Sequence, residues 1–177
     1  VEGKIETIRF ARENSVPYFG ICLGLQVAII EYARNILGLT EANTAEIDQN
    51  AKDNVIDLMA EQKSVTDMGA TMRLGAYPAT LVPGSKIAEI YGSNEISERH
   101  RHRYEVNNKY VPLLEEKGLV MSGKNLNLDL VETIELKEHP WFIAVQYHPE
   151  FKSKPTKPHP LFYRFVEASY NNKQKAK

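Results

Sequence analysis

The chain has 177 residues, 42% apolar and 25% charged, with 22 lysines and arginines against 23 aspartates and glutamates and a single cysteine. That is enough chain for one soluble domain with its own core, and the balanced charge excludes a nucleic-acid or membrane partner held by bulk electrostatics. One cysteine precludes an internal disulfide and fits a reducing compartment, and no apolar run nears the ~18 residues of a membrane helix.

Ile5, Ile8 and Ala11 recur at helical spacing, which predicts an amphipathic helix over residues 2–14. The apolar run Val16 to Cys22 reads as a buried strand, with Pro17 tolerated near its start. From Leu25 the pattern becomes a helical stripe through Ala28, Ile29, Tyr32 and Ile36, closed by Gly38. Residues 39–69 are polar and read as a long surface connection with one strand-like island at 55–59. Residues 71–74 and 79–82 have strand character, Pro83-Gly84 marks a turn, and Ser85 caps a short helix through Tyr91. Three more strands are expected over 119–122, 130–136 and 141–147, then a helix over 159–170 with a frayed polar end. Helices early and late with strands between them predict an α/β fold.

Gly20-Ile21-Cys22-Leu23-Gly24 lies where the first strand turns into the second helix. Small neighbours let the backbone bend sharply and present Cys22 at the tip, and a helix N-terminus behind it is expected to lower the thiol pKa. A buried structural cysteine is the common fate of a free thiol, and spacing alone leaves both readings open. His148, leaving a strand, is a candidate general base, with Glu150 two residues on as the carboxylate that orients its ring. His-Pro also occurs at residues 139 and 159, where it reads as punctuation.

The run Glu98 to Asn107 holds three arginines and two histidines. It reads either as a solvated polar strand or as an anion site, because arginine offers planar anions a bidentate fork. Its flanking glutamates argue against nucleic acid. His100 and His102 lack a third metal ligand at a convincing spacing, so no metal site is expected in this domain.

Gly20 to Gln26 together with His148-Pro149-Glu150 resembles the Cys-His-Glu triad of the class I glutamine amidotransferases. Within that class the chain is similar to the C-terminal glutaminase domain of the CTP synthases, through residues 17–26, 41–46, 69–75, 98–107 and 139–150. The resemblance implies an α/β fold with a mixed, largely parallel central sheet flanked by helices, of the flavodoxin-like amidotransferase kind. It implies that residues 1–177 are a type 1 amidotransferase domain whose first strands, including a glycine-rich oxyanion loop, precede Val1. Cys22 would be the nucleophile, His148 the base and Glu150 its partner. Leu23 would supply an oxyanion N–H, while Gln26, Glu46 and Arg103 would bind L-glutamine. Arg73 would lie on a mobile lid that takes part in activation by GTP.

Further implications concern the rest of such a protein. No cofactor is expected in this domain; ATP and Mg would act in a synthase domain of the same polypeptide, absent from this sequence, that aminates UTP. A cytoplasmic homotetramer, without nucleic-acid or membrane partners, is expected. Two rivals remain at this stage. One is another cysteine-triad amidase, such as a γ-glutamyl hydrolase, against which the segments 41–46 and 99–107 speak. The other is a non-catalytic assembly module that has kept the triad.

Overall fold

The computed structural model of the chain describes residues 1–58 and 72–175. In chain order its elements are α1 (Glu2–Glu13), β1 (Tyr18–Ile21), α2 (Leu23–Asn35), β2 (Ala42–Thr44), β3 (Asp53–Asp57), β4 (Arg73–Leu81), α3 (Lys86–Tyr91), β5 (Glu95–His102) and β6 (Glu105–Val106). They continue with α4 (Val111–Glu116), β7 (Leu119–Asn125), β8 (Leu130–Leu136), β9 (Phe142–Val145), a 3-10 turn (Pro149–Lys152) and α5 (Pro160–Lys175). Met59 and Thr71, which end two of the expected strand segments, lie outside the described residues.

A continuous apolar strand has no face to offer water, so it demands cover on both sides. β9 is such a strand, and all of its residues are buried. Phe142 and Ala144 pack into a cluster with Ile5 and Ile8 of α1 and with Leu25, Ala28 and Ile29 of α2. Ile143 and Val145 point the other way, into a cluster with Ile87 of α3 and Leu161 of α5. The two-residue period of the strand thus distributes one sequence run over two cores.

The larger sheet has the order β1-β9-β8-β7-β4-β5, and β2-β3-β6 form a smaller one. The large sheet is mixed, as expected, yet among the described residues it is mainly antiparallel rather than largely parallel. Only β1 and β9 run parallel within it. Connection length is the reason: short turns link β7 to β8 and β8 to β9, and such turns join only antiparallel neighbours.

Other departures also have local causes. α2 begins at Leu23, directly after Cys22, rather than at Leu25. The two segments expected at 71–74 and 79–82 are parts of one strand, β4, in which Gly75 takes a φ of 100° and Pro78 sits opposite Ser97. Pro78 is tolerated because β7 reaches only Thr80 and Leu81, leaving that part of β4 beside β5 alone. The polar stretch after residue 39 holds β2 and β3, which bury Ala42, Val55 and Ile56 against α2. α4, with a proline in its first turn, had no clear apolar stripe to announce it. α5 stays helical through Lys175 instead of fraying after Tyr170. No helix among the described residues is long and apolar enough to cross a membrane.

α1 is clamped to α2 by Arg12, whose guanidinium bonds the fully buried Glu31 carboxylate at 2.7 Å. β1 and β9 meet closely at Gly20: a Cβ there would stand 2.8 Å from the Ala144 Cβ and 2.9 Å from the Gly24 carbonyl carbon. Gly20→Ala is therefore expected to cost about 1–3 kcal/mol, as overpacking typically does. Chemical denaturation of the two proteins side by side checks it, and an unchanged midpoint would contradict the close packing of β1 on β9.

Candidate active site

β1 delivers Cys22 to the first turn of α2 with φ 50° and ψ −102°, a conformation that side-chain-bearing residues rarely adopt. Strain of this kind costs on the order of 1–3 kcal/mol and persists only where the surroundings over-determine it. Here they do. The Cys22 N–H donates to the Val145 carbonyl at 2.8 Å, and the Cys22 carbonyl accepts from the N–H groups of Leu25 and Gln26 at 3.0 and 3.3 Å.

The thiol is half-buried. Burial pushes its pKa up to about 11; the nearby N–H of Leu23 works against this, and the charges of Glu105, Glu150 and Glu46 reinforce it. This reverses the lowered pKa expected from the helix N-terminus alone, because desolvation of a thiolate outweighs one backbone donor. At neutral pH the sulfur carries its proton and needs a base to remove it.

His148 leaves the end of β9 and is pinned by its backbone N–H, which donates to the Arg99 carbonyl of β5 at 2.8 Å. Its Nδ1 lies 2.6 Å from Glu150 Oε1. An ionised carboxylate only accepts, so in the neutral ring the proton sits on Nδ1 and the lone pair on Nε2. Among the described residues nothing hydrogen-bonds Nε2, although it is buried. Pro149 opens the 3-10 turn that swings Glu150 under the ring, and Phe151 stacks on the imidazole with centroids 5.1 Å apart.

The expected glutamine-binding residues gather at the same end of the sheet. Gln26, on the first turns of α2, is buried and donates from Nε2 to the Tyr104 carbonyl at 2.9 Å, next to the half-buried Arg103. Glu46 follows β2 with its carboxylate exposed, close enough to Cys22 for its charge to act on the thiol. Leu23 supplies the N–H nearest the sulfur.

Arg73, the residue expected on a lid, is held by ion pairs in this structure. It opens β4, is buried, and bonds Glu105 at 3.0 Å and Glu132 at 2.7 Å while lying over the Tyr77 ring. His102 completes the group through Glu105 at 2.7 Å, and His100 stands 3.6 Å from Glu132. The histidines fall inside because β5 alternates, with Glu98, His100 and His102 buried and Arg99 and Arg101 exposed. Burial, reinforced by Arg73, His102 and His148, holds His100 down to about 2, and burial lifts Glu132 to about 7.

The two other His-Pro histidines are more than punctuation. His139 is buried with Nε2 3.0 Å from the Ala11 carbonyl and Nδ1 accepting from the Trp141 N–H. His159 bridges Glu98 and the first turn of α5. Among the described residues no three His, Cys, Asp or Glu side chains are grouped to hold a metal ion.

Two participants escaped the sequence reading, Gln146 and Glu105. Gln146 is fully buried, accepts from Gln26 Nε2 at 3.3 Å and donates from its own Nε2 to Cys22 Sγ at 3.7 Å. Its place directly before Tyr147-His148 at a strand end was the available signal.

The pattern of the family described as glutamine amidotransferase class-I matches residues 1–168. The chain belongs to the class I glutamine amidotransferases. Among curated members of this amidotransferase family, the CTP synthase of Syntrophus aciditrophicus is 55% identical over 175 residues, covering 99% of this chain and 32% of that protein. The CTP synthase of Carboxydothermus hydrogenoformans is 58% identical over 169 residues, again covering 32% of its length. The chain thus spans about a third of the curated relatives it matches. The glutaminase domain of Trypanosoma brucei CTPS, solved with bound acivicin, superposes with a TM-score of 0.89 at 40% identity, covering 96% of this chain and 66% of that one. A GMP synthase protein of Thermoplasma acidophilum, at 17% identity and a TM-score of 0.60, covers 98% of this chain and 68% of its own and shares the fold.

The protonated thiol makes a prediction for this amidotransferase domain. Alkylation of Cys22 by iodoacetamide in the complete protein should accelerate about ten-fold per pH unit from about pH 7 to 9 without levelling off. Mass spectrometry of the Cys22 peptide reads the rate. A plateau reached near pH 7 would show a thiolate already present at rest.

Proposed function

We propose that this domain hydrolyses L-glutamine through Cys22, His148 and Glu150, as the glutaminase part of a CTP synthase. The observation that carries the reading is the state of His148: Nδ1 is held at 2.6 Å by Glu150 while Nε2 is left without a protein partner among the described residues, at the strand end beside the cysteine elbow. Glutamine would bind with its ammonium toward Glu46 and its carboxylate toward Arg103, which sets the side-chain amide over Cys22.

His148 Nε2 takes the thiol proton as sulfur attacks the carboxamide carbon. Negative charge moves to the amide oxygen, where the Leu23 N–H donates to it. The tetrahedral intermediate collapses as the imidazolium returns its proton to the leaving nitrogen. The C–N bond breaks, ammonia departs and a glutamyl thioester remains. Water then attacks with His148 again as base, releasing glutamate and the thiol. Glu150 keeps the imidazole in one tautomer and stabilises its cationic form in both halves of the cycle.

In this reading residues 1–177 are an amidotransferase domain preceded by further strands, and ammonia passes to a synthase domain of the same polypeptide that uses ATP and Mg to aminate UTP. GTP acts as activator through the region of Arg73, and the protein works as a cytoplasmic homotetramer. The segments 41–46, 98–107 and 139–150 and the similarity to CTP synthases support this over other cysteine amidases.

The test uses the complete protein. Cys22→Ser is expected to lower glutamine-dependent CTP formation at least 1,000-fold while CTP formation from added ammonia persists, and a glutamine-like diazoketone should label wild type at one equivalent per chain. Glutamine-dependent synthesis that survives in the serine variant would falsify the nucleophile assignment.

A further inference from the structure

We propose that the side-chain amide of Gln146 is a catalytic hydrogen-bond donor to the sulfur of Cys22, aimed by a relay that begins at the Tyr104 carbonyl. The proposal rests on the reading of Cys22 as nucleophile and adds to it a residue outside the triad.

An amide side chain has a donor end and an acceptor end, and its value to a thiolate depends entirely on which end faces the sulfur. The hydrogen-bond chain decides this. A backbone carbonyl can only accept, so the group that Gln26 places 2.9 Å from the Tyr104 oxygen is its NH2. That same NH2 lies 3.3 Å from Gln146, which must answer with its oxygen. The Gln146 NH2 is then left pointing at Cys22 Sγ, 3.7 Å away, within the longer reach of a sulfur acceptor. Turning Gln146 around would set two NH2 groups against each other in a site closed to water, since Gln146 is fully buried and Gln26 nearly so.

The backbone holds the relay still. The Gln146 N–H donates to the Glu132 carbonyl at 2.8 Å, and the preceding residue, Val145, accepts the Cys22 N–H. Cys22 and Gln146 therefore continue the parallel pairing of Ile21 with Val145 by one step.

The chemical consequence follows from charge. Nothing in the relay accepts the thiol proton, which goes to His148. As it leaves, negative charge appears on a sulfur that faces Glu46, Glu105 and Glu150. A fixed neutral donor there favours the charged form without adding a counter-ion that would hold it inert. Because the relay starts beside Arg103, the turn that would receive the substrate carboxylate is connected to the sulfur through two side chains.

The test compares Gln146→Met, of similar shape without a donor, with Gln146→Glu, which adds a negative charge, in the complete protein. Each is expected to lower kcat for glutamine at least ten-fold with KM within about two-fold. The methionine variant should also slow iodoacetamide alkylation of the Cys22 peptide by about three-fold or more at every pH from 7 to 9, and the glutamate variant by at least as much at pH 9, where its carboxylate is ionised. A merely structural residue would not move the alkylation rate in a folded variant. Wild-type alkylation at pH 9 in either variant that keeps the wild-type thermal midpoint within a few degrees overturns the proposal, and the second variant answers the question if the first fails to fold. Cys22→Ala, run in parallel, separates the two readings: if it still hydrolyses glutamine, the nucleophile assignment fails whatever Gln146 does.

Discussion

The parallel pairing of β1 with β9, from Tyr18 against Phe142 to Ile21 against Val145, is the constraint on which the site depends. Parallel strands finish on the same side of a sheet, so the residues that follow them emerge as neighbours. Cys22 follows one strand and Gln146, Tyr147 and His148 follow the other, which joins positions more than 120 residues apart. Gly20 lets the two strands approach, because a side chain there would collide with Ala144. A slip of one residue in this register would turn His148 and Gln146 away and move the apolar set of β9 between its two cores.

Around that pair the structure accumulates polar groups in dry surroundings. Arg73, Glu105, Glu132, His100 and His102 lie beneath the site with little exposure, and Tyr91, Tyr147 and His159 form a second group with Glu98 of β5. Buried charges are costly unless paired, and here a single arginine answers two carboxylates while His100 stays neutral. Such a network ties β4, β5, β6 and β8 into one unit, and β5 in turn fixes the backbone of His148 through Arg99. The same dryness raises the Cys22 thiol, which makes the base and the donors around the sulfur necessary.

Much of this was legible before the fold. The helix expected over residues 2–14 and the one expected from Leu25 announced themselves by period, and the elbow by glycines around a lone cysteine at a strand-to-helix boundary. His148 and Glu150 were readable because an imidazole and the carboxylate that orients it stand two residues apart, a local relation. The ion pairs of Arg73 were not legible, because Glu105 and Glu132 lie 32 and 59 residues away along the chain and only pairing of β4 with β5 and proximity to β8 bring them together. Of the small sheet only β3 was foreshadowed, by the island at 55–59; β2 and β6 are too short to carry a pattern of their own.

The sequence by itself determined the α/β class and the candidate nucleophile, base and orienting carboxylate, because each is set by periodicity or by neighbours within a few residues. Tertiary structure alone decided that the sheet is mainly antiparallel, that the thiol is protonated at rest, and that Gln26 and Gln146 align into a relay toward the sulfur. Those properties depend on desolvation and on which strand ends lie side by side, and both are set by contacts between segments distant along the chain.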